Sequence, residues 1–295
     1  MFDSMDKLTT KNRRVVGPDS VKFISFLNVR RTLSKVQFMK NKKAVVSLIF
    51  LLSFFCVHLM AQDKKQFSAL LVTKTAGWHH ESINEGVAAM KALAIQNQFD
   101  LQWHQDGMPI TDAFLQKFQV LIFLNSTGDI FNEEEQKAIE KFIQSGKGYV
   151  GIHSASDTEY TWPWYTKLVG RMFRIHPVIQ TAKLRFTNNT FPGLGGFTEG
   201  QFWTDEWYEF DPETITGLKY ILTVDESSYN PKVEWAHKSI KSEGMGNFHP
   251  ISWYHEYDGG RSFYTALGHM PSVYTESAFL NHVYAGIYWA AIGKK

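Results

Sequence analysis

Between residues 67 and 152 the chain alternates short apolar runs with stretches of helical periodicity, and this alternation constrains the fold more than any other feature. Residues 67–72, 120–124 and 148–152 are apolar on both faces and too short for helices, so they read as fully buried strands. Residues 99–104 alternate apolar with polar and read as a half-exposed strand. Between these lie two amphipathic helices, one burying Ile83, Val87, Met90 and Ala94, the other Ala138, Ile139, Phe142 and Ile143. Ser82 with Glu85, and Asn132 with Glu135, have capping-box spacing, and Thr111 caps a short helix through Phe118. Strand, helix, strand, helix in that order implies parallel pairing with right-handed crossovers. The expected fold is an α/β, doubly wound, mostly parallel sheet covered on both faces.

After residue 160 the pattern changes. A short helix closes over 168–173, and a strand-rich segment of about 174–248 follows, with strands at 181–186, 202–210 and 220–224 and a glycine-rich turn at 193–196. The core then resumes with 251–257, a turn at Asp258-Gly259-Gly260, and 261–267. A last helix, capped near Thr275, buries Phe279, Val283, Ile287 and Ala290. The segment at 174–248 is therefore an insertion that elaborates the binding face of one domain spanning 64–295.

Upstream, Met39-Lys40-Asn41-Lys42-Lys43 followed by an apolar stretch to Met60 and then Ala61 reads as a secretory signal over 39–61. Residues 1–38 then read as an extension ahead of the true start at Met39. The expected product is exported to the periplasm and keeps no membrane span after cleavage. The sole cysteine, Cys56, falls in the signal. The mature chain therefore lacks a thiol nucleophile, a disulfide and a cysteine metal ligand. A formal net charge of +2 with no basic stripe in the domain excludes nucleic acid as an expected partner.

Function concentrates where strands end. The run 148–152 delivers His153 into a loop carrying Ser154, Asp157, Trp162 and Trp164, and ligands of open α/β sheets bind outside the carboxyl ends of strands. His80, His153, Asp205 or Glu206, and His269 follow other strands and converge if the topology holds. Three imidazoles and a carboxylate suit a divalent cation such as Zn²⁺, with His80, His153 and His269 as ligands. They equally suit proton transfer beside a sugar carbon, with His153 and His269 as acid and base and Glu206 as second base or third ligand. The rings of Trp162, Trp164 and Trp207 are candidate stacking faces for a carbohydrate, with Ser154, Asp157, Asp205 and His255 as polar contacts. His176 and His249 read as ordinary hydrogen-bonded residues.

The runs Gly151-Ile152-His153-Ser154-Ala155-Ser156-Asp157, Trp162-Pro163-Trp164-Tyr165, Asp205-Glu206-Trp207-Tyr208, 253–261 and Ala266-Leu267-Gly268-His269 resemble the ThuA-like family, named for trehalose utilisation. The resemblance implies a flavodoxin-like sheet of the class I glutamine amidotransferase superfamily and a place in carbohydrate metabolism, including 3-keto derivatives of disaccharides. In that superfamily a cysteine nucleophile sits on a Gly-x-Cys-x-Gly elbow. Here His153 takes the cysteine position and His269 that of a late histidine, which excludes thiol amidotransferase chemistry. Ser154 lies one residue beyond the elbow. The expectation is an enzyme acting on a disaccharide or glycoside by isomerisation, epimerisation, elimination or hydrolysis; the competing expectation is a non-catalytic periplasmic carbohydrate-binding protein.

Overall fold

Burial explains the centre of the sheet: every residue of β3 (Val120–Leu124) and β4 (Gly148–Ile152) is buried, as is β1 (Ser68–Val72) after its first residue. Such strands can only be interior, with both faces covered. The computed structural model describes residues 65–104, 108–187 and 190–293. The expected signal at 39–61, its Cys56 and the upstream extension 1–38 lie outside the described residues.

With β2 (Asp100–Trp103) and β13 (Gly260–Thr265), these strands form the parallel half of a nine-stranded sheet, β2-β1-β3-β4-β13. The other half, β12 (Pro250–Tyr257), β9 (Lys219–Asp225), β6 (Gln180–Phe186) and β7 (Phe202–Asp205), is antiparallel throughout. Strands from 174–248 thus extend the main sheet, and two small ribbons accompany them: β5 (Phe173–Ile175) with β8 (Glu209–Phe210), and β10 (Val233–Trp235) with β11 (Ile240–Ser242). The α/β sheet with a strand-rich insertion is as expected.

Five helices complete the described chain: α1 (Ile83–Gln96), α2 (Asp112–Leu115), α3 (Glu133–Gln144), α4 (Pro163–Val169) and α5 (Ser277–Ile292). Helix α5 lies directly on the sheet. A Cβ added to Gly148 would stand 2.2 Å from the Ala290 carbonyl oxygen, so only glycine permits this approach. No helix among the described residues is long and apolar enough to cross a membrane.

Several local expectations change. Asn132 and Glu135 form the expected capping box on α3. The Ser82–Glu85 box does not form, because the Ser82 hydroxyl is buried and donates to the Gly268 carbonyl while accepting from Asn125 Nδ2. Thr111 caps α2 by accepting from Phe114 N–H, but the helix stops at Leu115 and turns tightly, with Phe118 N–H bonded to Leu115 O. Thr275 ends a 3₁₀ turn and bonds Ser272 O; α5 begins at Ser277. The helix expected over 168–173 is α4, ended by Gly170 at φ +97°, and Phe173 opens β5. The single strand expected over 202–210 is broken into β7 and β8. The break falls where the Asp205 carboxylate accepts from the N–H groups of Gly268, His269 and Met270 in the loop after β13.

Candidate functional site

Strands β1, β3, β4, β13 and β7 all end at the same edge of the sheet, and their loops meet there. The sharpest turn follows β4. Ile152 is extended, and His153 has φ +52°, opening a 3₁₀ turn over His153–Ser156. A left-handed backbone at a non-glycine residue costs on the order of 1–3 kcal/mol and persists only where neighbours hold it. Here Tyr264 Oη donates to His153 O at 2.7 Å. This is the elbow anticipated from the Gly151–Ala155 run, with an imidazole at its tip.

The His153 ring is completely buried and bonds through Nδ1 to the Ala266 carbonyl at 2.8 Å. A carbonyl can only accept, so Nδ1 carries the proton and Nε2 presents a lone pair. That Nε2 faces His269 Nδ1 at 3.2 Å and Glu206 Oε2 at 3.5 Å. Glu206 Oε2 is also 3.1 Å from His269 Nδ1. His80 closes the group, its ring 4.9 Å from that of His153 and 5.4 Å from that of His269, with Nδ1 3.3 Å from Ser154 Oγ. One ligating atom from each of His80, His153, Glu206 and His269 lies within 4.8 Å of all the others.

Electrostatics tie the four together. Burial, then the neighbouring His153 and His269, push His80 down to about 2, so it is neutral at physiological pH. Burial would raise Glu206, but the facing His153 and His269 imidazoles outweigh it and hold the carboxyl well below the ordinary range. For His269 burial acts downward and is overcome by the hydrogen bond to Glu206 and its charge, which raise the imidazole. A carboxylate beside three imidazole nitrogens is a donor set for a borderline cation such as Zn²⁺. Ala266 O supplies the outer partner that metal-ligating histidines generally have.

Asp205, expected to contact substrate, sits behind the cluster instead. It is fully buried, its Oδ2 accepting from Gly268 N–H at 2.9 Å and its Oδ1 from His269 N–H at 3.1 Å and Met270 N–H at 3.4 Å. Gly268 has φ +125° and little space for a Cβ, 3.0 Å from Tyr274 Oη, so glycine and Asp205 together aim His269.

A cavity of about 550 Å³ opens over the cluster, reaching His80, Glu206 and His269 and walled by Trp78, Phe173, Tyr208 and Trp235. Asp157 lines it, its carboxyl raised by burial against the opposing bond from the Tyr160 hydroxyl, and Lys238 stands nearby. The expected stacking residues are elsewhere. Trp162 is buried against Trp164 and Tyr165, its indole donating to Glu140. Trp164 donates to Asp258, and Trp207, 1% exposed, donates to Gln180 O. His255 is buried with Nε2 on Lys167 O. None of these four lines the cavity, because each indole or imidazole spends its polar atom on the scaffold.

Sequence reasoning also passed over His176, which lines the cavity with Nδ1 3.0 Å from Glu206 Oε1. Both neighbours of that nitrogen, Glu206 Oε1 and Pro177 O at 2.8 Å, are acceptors, so Nδ1 is the protonated atom. Trp78 had a signal in its position beside His79-His80; Trp235 had none.

A family model described as trehalose utilisation matches residues 68–290. The chain belongs to the ThuA family. Membership supports a carbohydrate-related role. Among solved structures, a ThuA-like protein of Bacteroides uniformis is 19% identical with a TM-score of 0.64, the match covering 77% of this chain and 91% of that one. A ThuA-like protein of Parabacteroides merdae is 18% identical with a TM-score of 0.60, covering 78% and 91%. At these identities the likeness establishes the ThuA fold alone. No curated protein matches the chain by sequence.

Proposed function

We propose that this ThuA-family chain is an exported enzyme acting on a disaccharide or glycoside, its keto form included, by histidine-based proton transfer at a divalent-cation centre. The observation that carries the reading is the convergence of ligating atoms from His80, His153, Glu206 and His269 within 4.8 Å, under a cavity sized for such a ligand. His80, His153 and His269 would supply nitrogen and Glu206 oxygen. A bound cation would polarise a sugar carbonyl or hydroxyl oxygen and favour loss of a proton from the neighbouring carbon. The chain's own part is to take that proton and return it. His176, with Nδ1–H fixed by Glu206 and Pro177 O, leaves Nε2 as an unprotonated acceptor and is the candidate base. Asp157, with its raised carboxyl, is a candidate for the opposing donor.

Elemental analysis of residues 62–295 beside the His153→Ala and Glu206→Gln variants tests the centre. The expected result is about one Zn, Mn or Fe per wild-type chain, sharply reduced in both variants that remain folded. A wild-type protein that holds none of these ions after incubation with each would remove the cation centre and leave metal-free proton transfer or plain sugar binding.

A further inference from the structure

Two indoles on the cavity have no role in the reading above. Trp78 stands on the loop between β1 and α1 and is 71% exposed, an unusual state for so large an apolar ring. Its backbone is nevertheless fixed: Thr127 Oγ1 donates to Trp78 O at 2.8 Å, and Gly77 N–H bonds back to Thr127 O. The loop is thus pinned to the chain after β3 while the side chain is left in water at the lip of the cavity. Trp235 comes from a distant part of the sequence, at the end of β10 in the β10–β11 ribbon, and lines the same cavity. It is also braced. Its ring meets His176 edge-on at 4.8 Å and Phe173 at 6.0 Å, with Lys238 Nζ 5.0 Å from its centroid.

A rigid backbone carrying an unshielded indole describes a binding platform better than a packing defect, because burying an indole is otherwise favourable by a few kcal/mol. His80, Glu206 and His269 of the donor cluster line the cavity together with both indoles, so one ligand can meet both. The donor cluster needs one ring's oxygens. It leaves the aromatic lip to a second ring, whose C–H face offers apolar area and whose hydroxyls stay hydrated.

We propose that Trp78 and Trp235 form a second-ring subsite, so that this site selects disaccharides or aryl glycosides over monosaccharides. The proposal rests on the reading of the site as one for a sugar. Trp78, Trp235 and the ribbon that carries Trp235 then set the length of substrate, while the histidine cluster sets the chemistry.

Calorimetric titration of the cation-loaded chain with trehalose, cellobiose and glucose, repeated on Trp78→Ala and Trp235→Ala, decides it. The expected result is preference for at least one disaccharide over glucose in the wild type. Each variant should lose that affinity by roughly tenfold, as for removal of one stacking aromatic, with glucose binding unchanged. Trp78 is exposed at the rim, so melting temperature and metal content of Trp78→Ala stay as in the wild type; Trp235 is half-buried and packed against the core, so Trp235→Ala is titrated well below its own melting temperature, and the ratio of disaccharide to glucose affinity is the readout. Glucose binding as tight as disaccharide binding, or variants that weaken both sugars equally or neither, would overturn the subsite and leave the sugar reading standing. A wild-type chain that binds none of the three sugars would overturn both.

Discussion

Asp205 offers the most direct test of how the site is held. Its carboxylate collects the N–H groups of Glu206, Gly268, His269 and Met270, and alanine would leave all four without this acceptor. An orphaned buried donor costs about 1–3 kcal/mol. The Glu206 and Gly268 bonds are fully buried and the other two partly so, which places the alanine cost at about 3–5 kcal/mol, in the range for breaking a buried charged network. Asparagine behaves differently. It keeps Oδ1 for Glu206, His269 and Met270 and turns only the Gly268 contact into donor against donor. It also removes a charge whose burial raises the carboxyl above its ordinary value, and that relief offsets part of the lost bond. The net cost of Asp205→Asn should be about 1–2 kcal/mol.

Urea unfolding followed by circular dichroism measures both, and for a domain of this size each kcal/mol corresponds to roughly 2–4 °C in Tm. The order wild type, Asn, Ala is the point at issue. Cation retention should fall most in the alanine variant, on the order of 10–100-fold, since His269 loses the clamp that aims it. An asparagine variant as unstable as alanine, or an alanine variant within about 1 kcal/mol of wild type, would show that the four backbone donors do not depend on this one carboxylate.

Three further outcomes follow from the structure. Glu226 is held below its ordinary 4.5 because bonds from His249 and the N–H groups of Met245 and Gly246 outweigh burial. A depressed carboxyl contributes stability above its unfolded value and loses it as pH falls through the lower folded value; the wild type should therefore exceed Glu226→Gln by a constant margin in urea titrations above pH 4.5, shrinking in more acid buffer. Trp162→Ala should cost about 3–5 kcal/mol by thermal melt while leaving trehalose and glucose titrations unchanged, as befits a core ring outside the cavity. Gly148→Ala forces Ala290 O away from 2.2 Å and should destabilise by at least about 1–3 kcal/mol in the same melt.

The parallel half of the sheet was legible because its strands are short, doubly buried and separated by helices of clear period, a pattern few other folds satisfy. His80, His153 and His269 were legible for a related reason. Each lies in the loop that follows the carboxyl end of such a strand, so correct topology brings them together without any side-chain reasoning. Capping was less readable. Asn132 and Ser82 have the same spacing to a glutamate, yet Asn132 faces solvent and caps while Ser82 is buried and serves Gly268 O and Asn125. Local sequence carries the propensity and tertiary burial decides its use.

The tryptophans show where local reasoning ends. Trp162 and Trp164 stand beside the elbow in sequence, but α4 turns them onto each other and onto Tyr165, Glu140 and Asp258, away from the cavity. Trp235 stands 82 residues beyond His153 and reaches the cavity through the β10–β11 ribbon, at the side of Phe173 and His176 from β5 and the loop after it. The division is physical. The doubly wound half places His80, His153 and His269 in the loops after β1, β4 and β13, at one edge of the sheet. The wall over them is made by the segment of about 174–248, whose ribbons pair antiparallel and carry no crossover rule to fix them in advance. A chain of this architecture can keep one cluster of donors and change the ligand it accepts by altering the ribbons alone, so variation in substrate length should track residues such as Trp235, and loss of the centre should track the strand ends.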